Sequence, residues 1–201
     1  FTTILLMVLT FLTSRSKQER TRLVIIAVVG VIAVAIFLAG LLSIGRVAEL
    51  FQQRASLEQD YDVGHLGRFG RYALGALVGL DNPFGIGPMQ FAQMFPEDPN
   101  NTYLNTFMSG GWLSGLSYLA LVIATLVMAT RFVFVRTPWQ RSYLVVYCAF
   151  VGVQMESAII DTDHWRHYFL LLGLIWGLMI ASRPYIRAPA TASRPGTPRL
   201  A

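Results

Sequence analysis

The run from Leu23 to Gly45 holds 23 residues without one charged side chain. At about 1.5 Å of rise per residue, a helix of that length crosses a hydrocarbon layer roughly 30 Å thick. Backbone in lipid must satisfy its own N–H and C=O groups, so the run reads as a transmembrane helix and the rest of the chain must be arranged around it. Composition agrees: 13% of residues are charged, against about 25% in a soluble domain. Phe1–Thr13 reads as the end of a span whose start is missing. Leu104–Thr130 lies in a stretch that is uncharged from Pro99 onward, Ser142–Ile160 carries only Glu156, and Trp165–Ser182 is strongly apolar after His167. The expected fold is therefore all-α: a polytopic transmembrane helical bundle of about five spans, the first partial, over residues 1–182. The chain opens Phe1-Thr2-Thr3, with no initiator Met and no charged leader. It reads as the C-terminal part of a longer protein, whose N-terminal spans would be its partners.

Basic residues orient the spans. Arg15, Lys17, Arg20 and Arg22 precede the second span, Arg131, Arg136 and Arg141 follow the third, and Arg183, Arg187, Arg194 and Arg199 follow the fifth. These sets alternate along the chain and hold eleven basic residues against one acid, Glu19. The positive-inside rule places them in the cytoplasm, so the long loop 46–103 and the turn Asp161–Arg166 face outward. The net charge of +5 is thus a topology signal: its arginines share no face, and nucleic acid is not an expected partner. Residues 183–201, rich in proline, are expected to form a disordered cytoplasmic tail. The single cysteine, Cys148, sits in an apolar run, reads as a packed thiol, and can form no internal disulfide.

The outer loop carries four arginines and seven acids. Val47–Gln59 and Gly67–Gly79 read as short helices near the membrane surface, the second with Arg68 and Arg71 on one face. Asn82-Pro83 stops that helix. Gly85-Ile86-Gly87-Pro88 forces a tight turn because glycine accepts positive φ; with no preceding strand and no third glycine it is not a dinucleotide loop. Asn100 or Asn101 caps the third span, within which Gly111 and Gly115 form a small-xxx-small pair of the kind that brings helices close.

A second polar group opens the fifth span. Asp161 or Thr162 can cap it, and the spacing of Asp163, His164 and His167 lets these side chains cluster on one helical face. Neighbouring aspartates favour the imidazolium and a helix N-terminus disfavours it, a balance that can leave a histidine able to accept a proton. Trp165, Arg166 and Tyr168 also suit an interfacial belt. Glu156, little more than a turn away, calls for a cationic partner, with Arg166 or a loop arginine the obvious choice.

In order, Arg54-Ala55-Ser56-Leu57, Gly67-Arg68, Asn82-Pro83-Phe84-Gly85-Ile86-Gly87, Asn100-Asn101-Thr102-Tyr103-Leu104 and Gly111-Trp112-Leu113-Ser114-Gly115 resemble the O-antigen ligase/polymerase superfamily over roughly residues 20–182, its C-terminal half. These are polytopic bacterial inner-membrane glycosyltransferases of the GT-C type. The resemblance implies a polyprenyl-diphosphate-linked glycan as donor, a lipid or glycan hydroxyl as acceptor, and neither metal nor cofactor. It assigns Arg54 and Arg68, with Arg71 added from helical spacing, to the diphosphate, a role guanidinium suits through its permanent charge and forked donors. It also places Asn101 beside the catalytic position. There the family reads His-Asn, whereas this chain reads Asn100-Asn101, and a neutral amide takes no proton at useful pH. Either His164 or His167 stands in, supported by Asp161, Asp163, Glu156 and Arg166, or the acceptor is activated differently, or the chain is a catalytically inactive subunit that binds glycan-lipid. A transporter ranks behind both, since the spans place no charge at mid-membrane.

Overall fold

The computed structural model describes residues 1–55, 67–95 and 98–187, without the side chains of Leu50, residues 52–55 and Arg187. Among these, eight helices follow in order: α1 (Thr2–Thr13), α2 (Lys17–Leu42), α3 (Gly45–Ala55), α4 (Arg68–Asp81), α5 (Phe91–Met94), α6 (Thr102–Thr130), α7 (Gln140–Glu156) and α8 (Arg166–Arg187). No strand occurs among the described residues. Three helices are long and apolar enough to cross a membrane: α2, α6 and Arg166–Ile186 of α8. The other two expected spans are helical but shorter, at 12 residues for α1 and 17 for α7. α8 continues through Pro184 to Arg187, into the stretch expected as tail. The final residues of the Val47–Gln59 helix and residues 188–201 lie outside the described ones.

The core forms where α6, α7 and α8 meet, around Tyr143, Phe150, Tyr168 and Ile175, each at most 2% exposed. Two polar tips in this core find partners: Tyr143 Oη donates to the Ala129 carbonyl (2.7 Å) and Trp176 Nε1 to Thr125 Oγ1 (3.0 Å), whereas the Tyr168 hydroxyl is buried without one among the described residues. α1 packs on α7 so tightly that a Cβ at Gly152 would lie 2.6 Å from Thr2 Oγ1. Cys148 is buried, in keeping with a packed thiol. α2, by contrast, buries none of its residues, and its all-round apolar surface suits lipid or a further helix.

α6 is broken. Gly111 has φ 75° and ψ −172°, outside the helical region, in backbone space open essentially to glycine alone. The cause is the loop after α4, which inserts its backbone at the break. Ile86 N–H donates to the Met108 carbonyl (2.7 Å), Gly87 N–H to the Ser109 carbonyl (3.1 Å), and Trp112 N–H to the Pro83 carbonyl (2.9 Å). Groups that the break would orphan in a low-dielectric setting are thereby paired. Gly85 (φ 80°) and Gly87 (φ 92°) supply the expected positive-φ turn. Gly85 approaches so closely that a Cβ there would sit 2.6 Å from Gly111 N and Ser109 O. Gly111 thus marks a helix break, and Gly115 lies under the ring of Phe107 from its own helix; their small-xxx-small spacing serves an intrachain contact in place of the expected helix pairing.

Three fully buried hydroxyls tie the start of α6 to the end of α7. Thr102 Oγ1 accepts the Thr162 N–H (2.7 Å) and lies 3.2 Å from Thr162 Oγ1, which in turn lies 2.5 Å from Ser157 Oγ. Thr102 N–H donates to the Ser157 carbonyl (2.8 Å). Thr102→Val keeps the shape and removes the acceptor, leaving buried donors unmatched. It is expected to cost about 1–3 kcal/mol, read as a lower thermal midpoint in detergent.

Candidate functional site

The hydroxyl tie and the helix break together frame a cavity of about 330 Å³. One wall is the inserted loop, Ile86 to Met89, and another is the first half of α6, through Asn105 and Ser109. Asp98, Asp161, Asp163 and His164 complete the lining. Ser109 Oγ donates to Asn105 Oδ1 (2.8 Å), Asn105 Nδ2 reaches Asp163 Oδ2 at 3.5 Å, and Asp163 Oδ1 lies 3.3 Å from His164 Nδ1. Asp163 is therefore held from both sides.

Asp161 is different. Its Oδ1 is buried without a hydrogen-bond partner. Burial, reinforced by the negative charges of Asp163 and Asp98, pushes its carboxyl up to about 6, while His164 and the Asn101 backbone N–H pull the other way. A carboxylate shifted in this manner, in a residue that lines a cavity, can accept a proton near neutral pH. Three aspartates line the cavity, yet among the described residues no group of three His, Cys, Asp or Glu side chains is arranged to hold a metal ion.

α4 brings its arginines to the same region. Its buried face carries Arg71, Gly75 and Gly79 at four-residue spacing. The glycines let α4 settle on α6, with a Cβ at Gly75 falling 3.1 Å from Met108 Sδ. Arg71 is 7% exposed, and its Nη1 reaches the Asp98 carbonyl at 3.4 Å, at the edge of the cavity. Arg68, in the first turn of α4, is half-buried. Trp112 Nε1 donates to the Gly79 carbonyl (2.9 Å), closing the end of α4 onto α6 just past the break.

The remaining predicted residues divide. Asn101 is the cap: its Oδ1 accepts the Leu104 N–H (3.1 Å) and its Nδ2 donates to the Ala158 carbonyl (3.0 Å). Asn100 is exposed with φ 49°, a left-handed conformation asparagine tolerates, and it lies outside the cavity lining. His164 lines the cavity but His167 does not; exposed, it packs against Trp165 with ring centroids 4.8 Å apart. The expected helical clustering of Asp163, His164 and His167 does not form, because α8 begins only at Arg166. Thr162, held in the hydroxyl tie, fixes a turn closed by Trp165 N–H on its carbonyl (3.0 Å), so neither Asp161 nor Thr162 caps α8. Glu156 and Arg166 are both exposed, and among the described residues they make no ion pair with each other. The Arg54 side chain lies outside the described residues.

Sequence reasoning missed Asn105, Ser109 and Asp98. The first two carried a signal: Asn101, Asn105 and Ser109 recur every four residues in an otherwise apolar helix, which puts them on one face. No known family, curated protein or solved structure matches this chain.

Proposed function

We propose that this chain is part of a membrane glycosyltransferase that moves a saccharide from a polyprenyl diphosphate to a hydroxyl group, as an O-antigen ligase or polysaccharide polymerase does. The observation that carries the reading is the pairing of a cavity holding the raised, partly unbonded Asp161 with an arginine-bearing helix at its edge. Three carboxylates repel a diphosphate, so the cavity suits the hydroxyl-rich acceptor and the diphosphate belongs on the α4 side, with Arg68 and Arg71. Asp161 takes the proton of the acceptor hydroxyl, and that oxygen attacks the anomeric carbon. The bond from this carbon to the diphosphate oxygen breaks, its electron pair leaves with the diphosphate, and guanidinium charge stabilises the departing group. Asp161 then releases its proton to water. This assigns to a carboxylate the role the family gives to a histidine, with His164 as a neighbour and His167 outside the site.

The charge pattern supports a bacterial inner-membrane protein of five spans, with loop 46–103 periplasmic and the C-terminus cytoplasmic. The apolar outward face of α4, with Phe69, Leu77 and Leu80 exposed, suits contact with lipid at that border. The break in α6 is a feature transporters also carry, but here the inserted loop satisfies its backbone groups. A catalytically silent glycan-lipid subunit is the second reading, favoured by the exposed Asn100 where the family carries histidine.

The test is complementation of ligase-null and polymerase-null bacteria with the complete gene, read as a surface-glycan ladder. A ladder in one strain, reduced on the order of 10- to 100-fold by Arg68→Ala at unchanged membrane abundance, is the expected result. No ladder in either strain would favour the silent subunit.

A further inference from the structure

The opposite end of α7 from Asp161 borders a second cavity, about 470 Å³ in volume, where the corner between α1 and α2 meets the first turn of α7. Its lining is cationic: Arg15, Arg22 and Arg141 face a single carboxylate, Glu19. Glu19 is already engaged, by Arg141 Nη2 at 2.5 Å and by the Ser14 hydroxyl at 2.8 Å. Arg15 and Arg22 form no ion pair within 4 Å among the described residues; Arg22 lies near enough to Glu19 to attract its charge, and the lining as a whole keeps an excess of positive charge. Thr13 and Ser14 add hydroxyls, and Leu23, Ile26 and Leu144 form an apolar side. Ile26 belongs to the outward surface of α2, where Ile25, Val29 and Ile32 are also exposed. A polar, cationic chamber that opens along an apolar helix matches a molecule with an anionic head and hydrocarbon tails.

We propose that this cavity binds the phosphodiester headgroup of an anionic phospholipid, with Arg15 and Arg22 on the phosphate and an acyl chain along the Leu23–Ile26 side of α2. Arginine forks suit phosphate oxygens, and basic pockets between membrane helices hold such headgroups. A free phosphate ion would satisfy the arginines equally but gain nothing from the apolar side. The proposal stands independently of the transferase reading, because the site lies a full helix length from the aspartate cavity.

Native mass spectrometry of the complete protein in nonionic detergent, offered phosphatidylglycerol and phosphatidylcholine in equal amounts, tests it. Phosphatidylglycerol is expected to be retained in preference, with retention falling about fivefold for each arginine removed in Arg15→Ala and Arg22→Ala. Both positions are exposed, so neither change threatens the fold. Arg136→Ala, exposed at the same end but outside the cavity, is expected to leave retention unchanged. Equal retention of both lipids would overturn the proposal, as would an unaffected double variant or an equal loss on Arg136→Ala. Displacement of the lipid by inorganic phosphate at equal concentration would overturn it too, by showing that the apolar side adds nothing to binding.

Discussion

Asp161→Asn is expected to lower the rate of saccharide transfer by about 10²–10⁴-fold, the usual loss when a positioned base is removed. The change is nearly isosteric and deletes only the proton-accepting group. On the proposed mechanism the base must be ionised, so transfer by the parent is expected to rise with pH through about 6 and level above it. Stability runs in the opposite direction. The folded protein holds the Asp161 proton more tightly than the unfolded chain does, its carboxyl being raised from an ordinary value of 3.8 to about 6. The contribution to stability is therefore greatest below 3.8, falls as pH rises through that window, and stays low above it. An amide has no such loss, so the variant is expected to melt at or above the parent temperature well above pH 6. Collapsed activity with an undiminished midpoint separates chemistry from folding. An unchanged transfer rate, or a parent pH profile with no limb near 6, would remove Asp161 from the mechanism.

Gly111→Ala is expected to be strongly destabilising for a single added methyl, at about 3 kcal/mol or more. The added Cβ would collide with the Pro83 carbonyl oxygen, lie 2.6 Å from Phe84 C and 2.8 Å from Gly85 N, and face a φ of 75°. All three atoms are backbone and cannot rotate away. Straightening α6 would relieve the strain only by expelling the loop, which would lose the bonds from Ile86, Gly87 and Trp112 N–H. A drop in thermal midpoint on the order of 10 °C is the readout. Gly177→Ala, in α8 with nothing within 4 Å of its added Cβ, is the control, expected to be neutral or stabilising by up to about 1 kcal/mol. Equal midpoints for the two variants would mean the break is not held by the loop.

Local chemistry was legible. The helix expected over Gly67–Gly79 is observed as Arg68–Asp81, because its small and apolar residues keep a 3.6-residue period and Asn82-Pro83 ends it. The glycine turn appeared with the required φ signs, and of two asparagines one proved to be the cap. What could not be read was anything decided by a distant partner. Gly111 looks the same in a helix-packing motif as at a helix break; the difference lies in residues 83–87, more than twenty positions earlier. The histidines misled because helical spacing was extended to Asp163, while the buried Thr162 holds residues 162–165 in a turn. Asp161 was named as a support. Its prominence arises first from burial and then from the charges of Asp163 and Asp98, and only the fold supplies that burial and brings Asp98 close.

The shortness of α7 has its own consequence for how a substrate must arrive. Seventeen residues measure about 25 Å, less than a hydrocarbon layer of roughly 30 Å. On the proposed five-span reading, with Arg141 among phosphate headgroups at one end, the turn that carries Asp161 beyond the other end lies near the border of the hydrocarbon layer on the far side. Any sugar reaching that carboxylate would have to descend below the headgroups, or the bilayer would have to thin around the protein to meet it. Membrane thickness then becomes a variable on which turnover depends, and bilayers of shorter acyl chains would be the natural medium in which to look for activity.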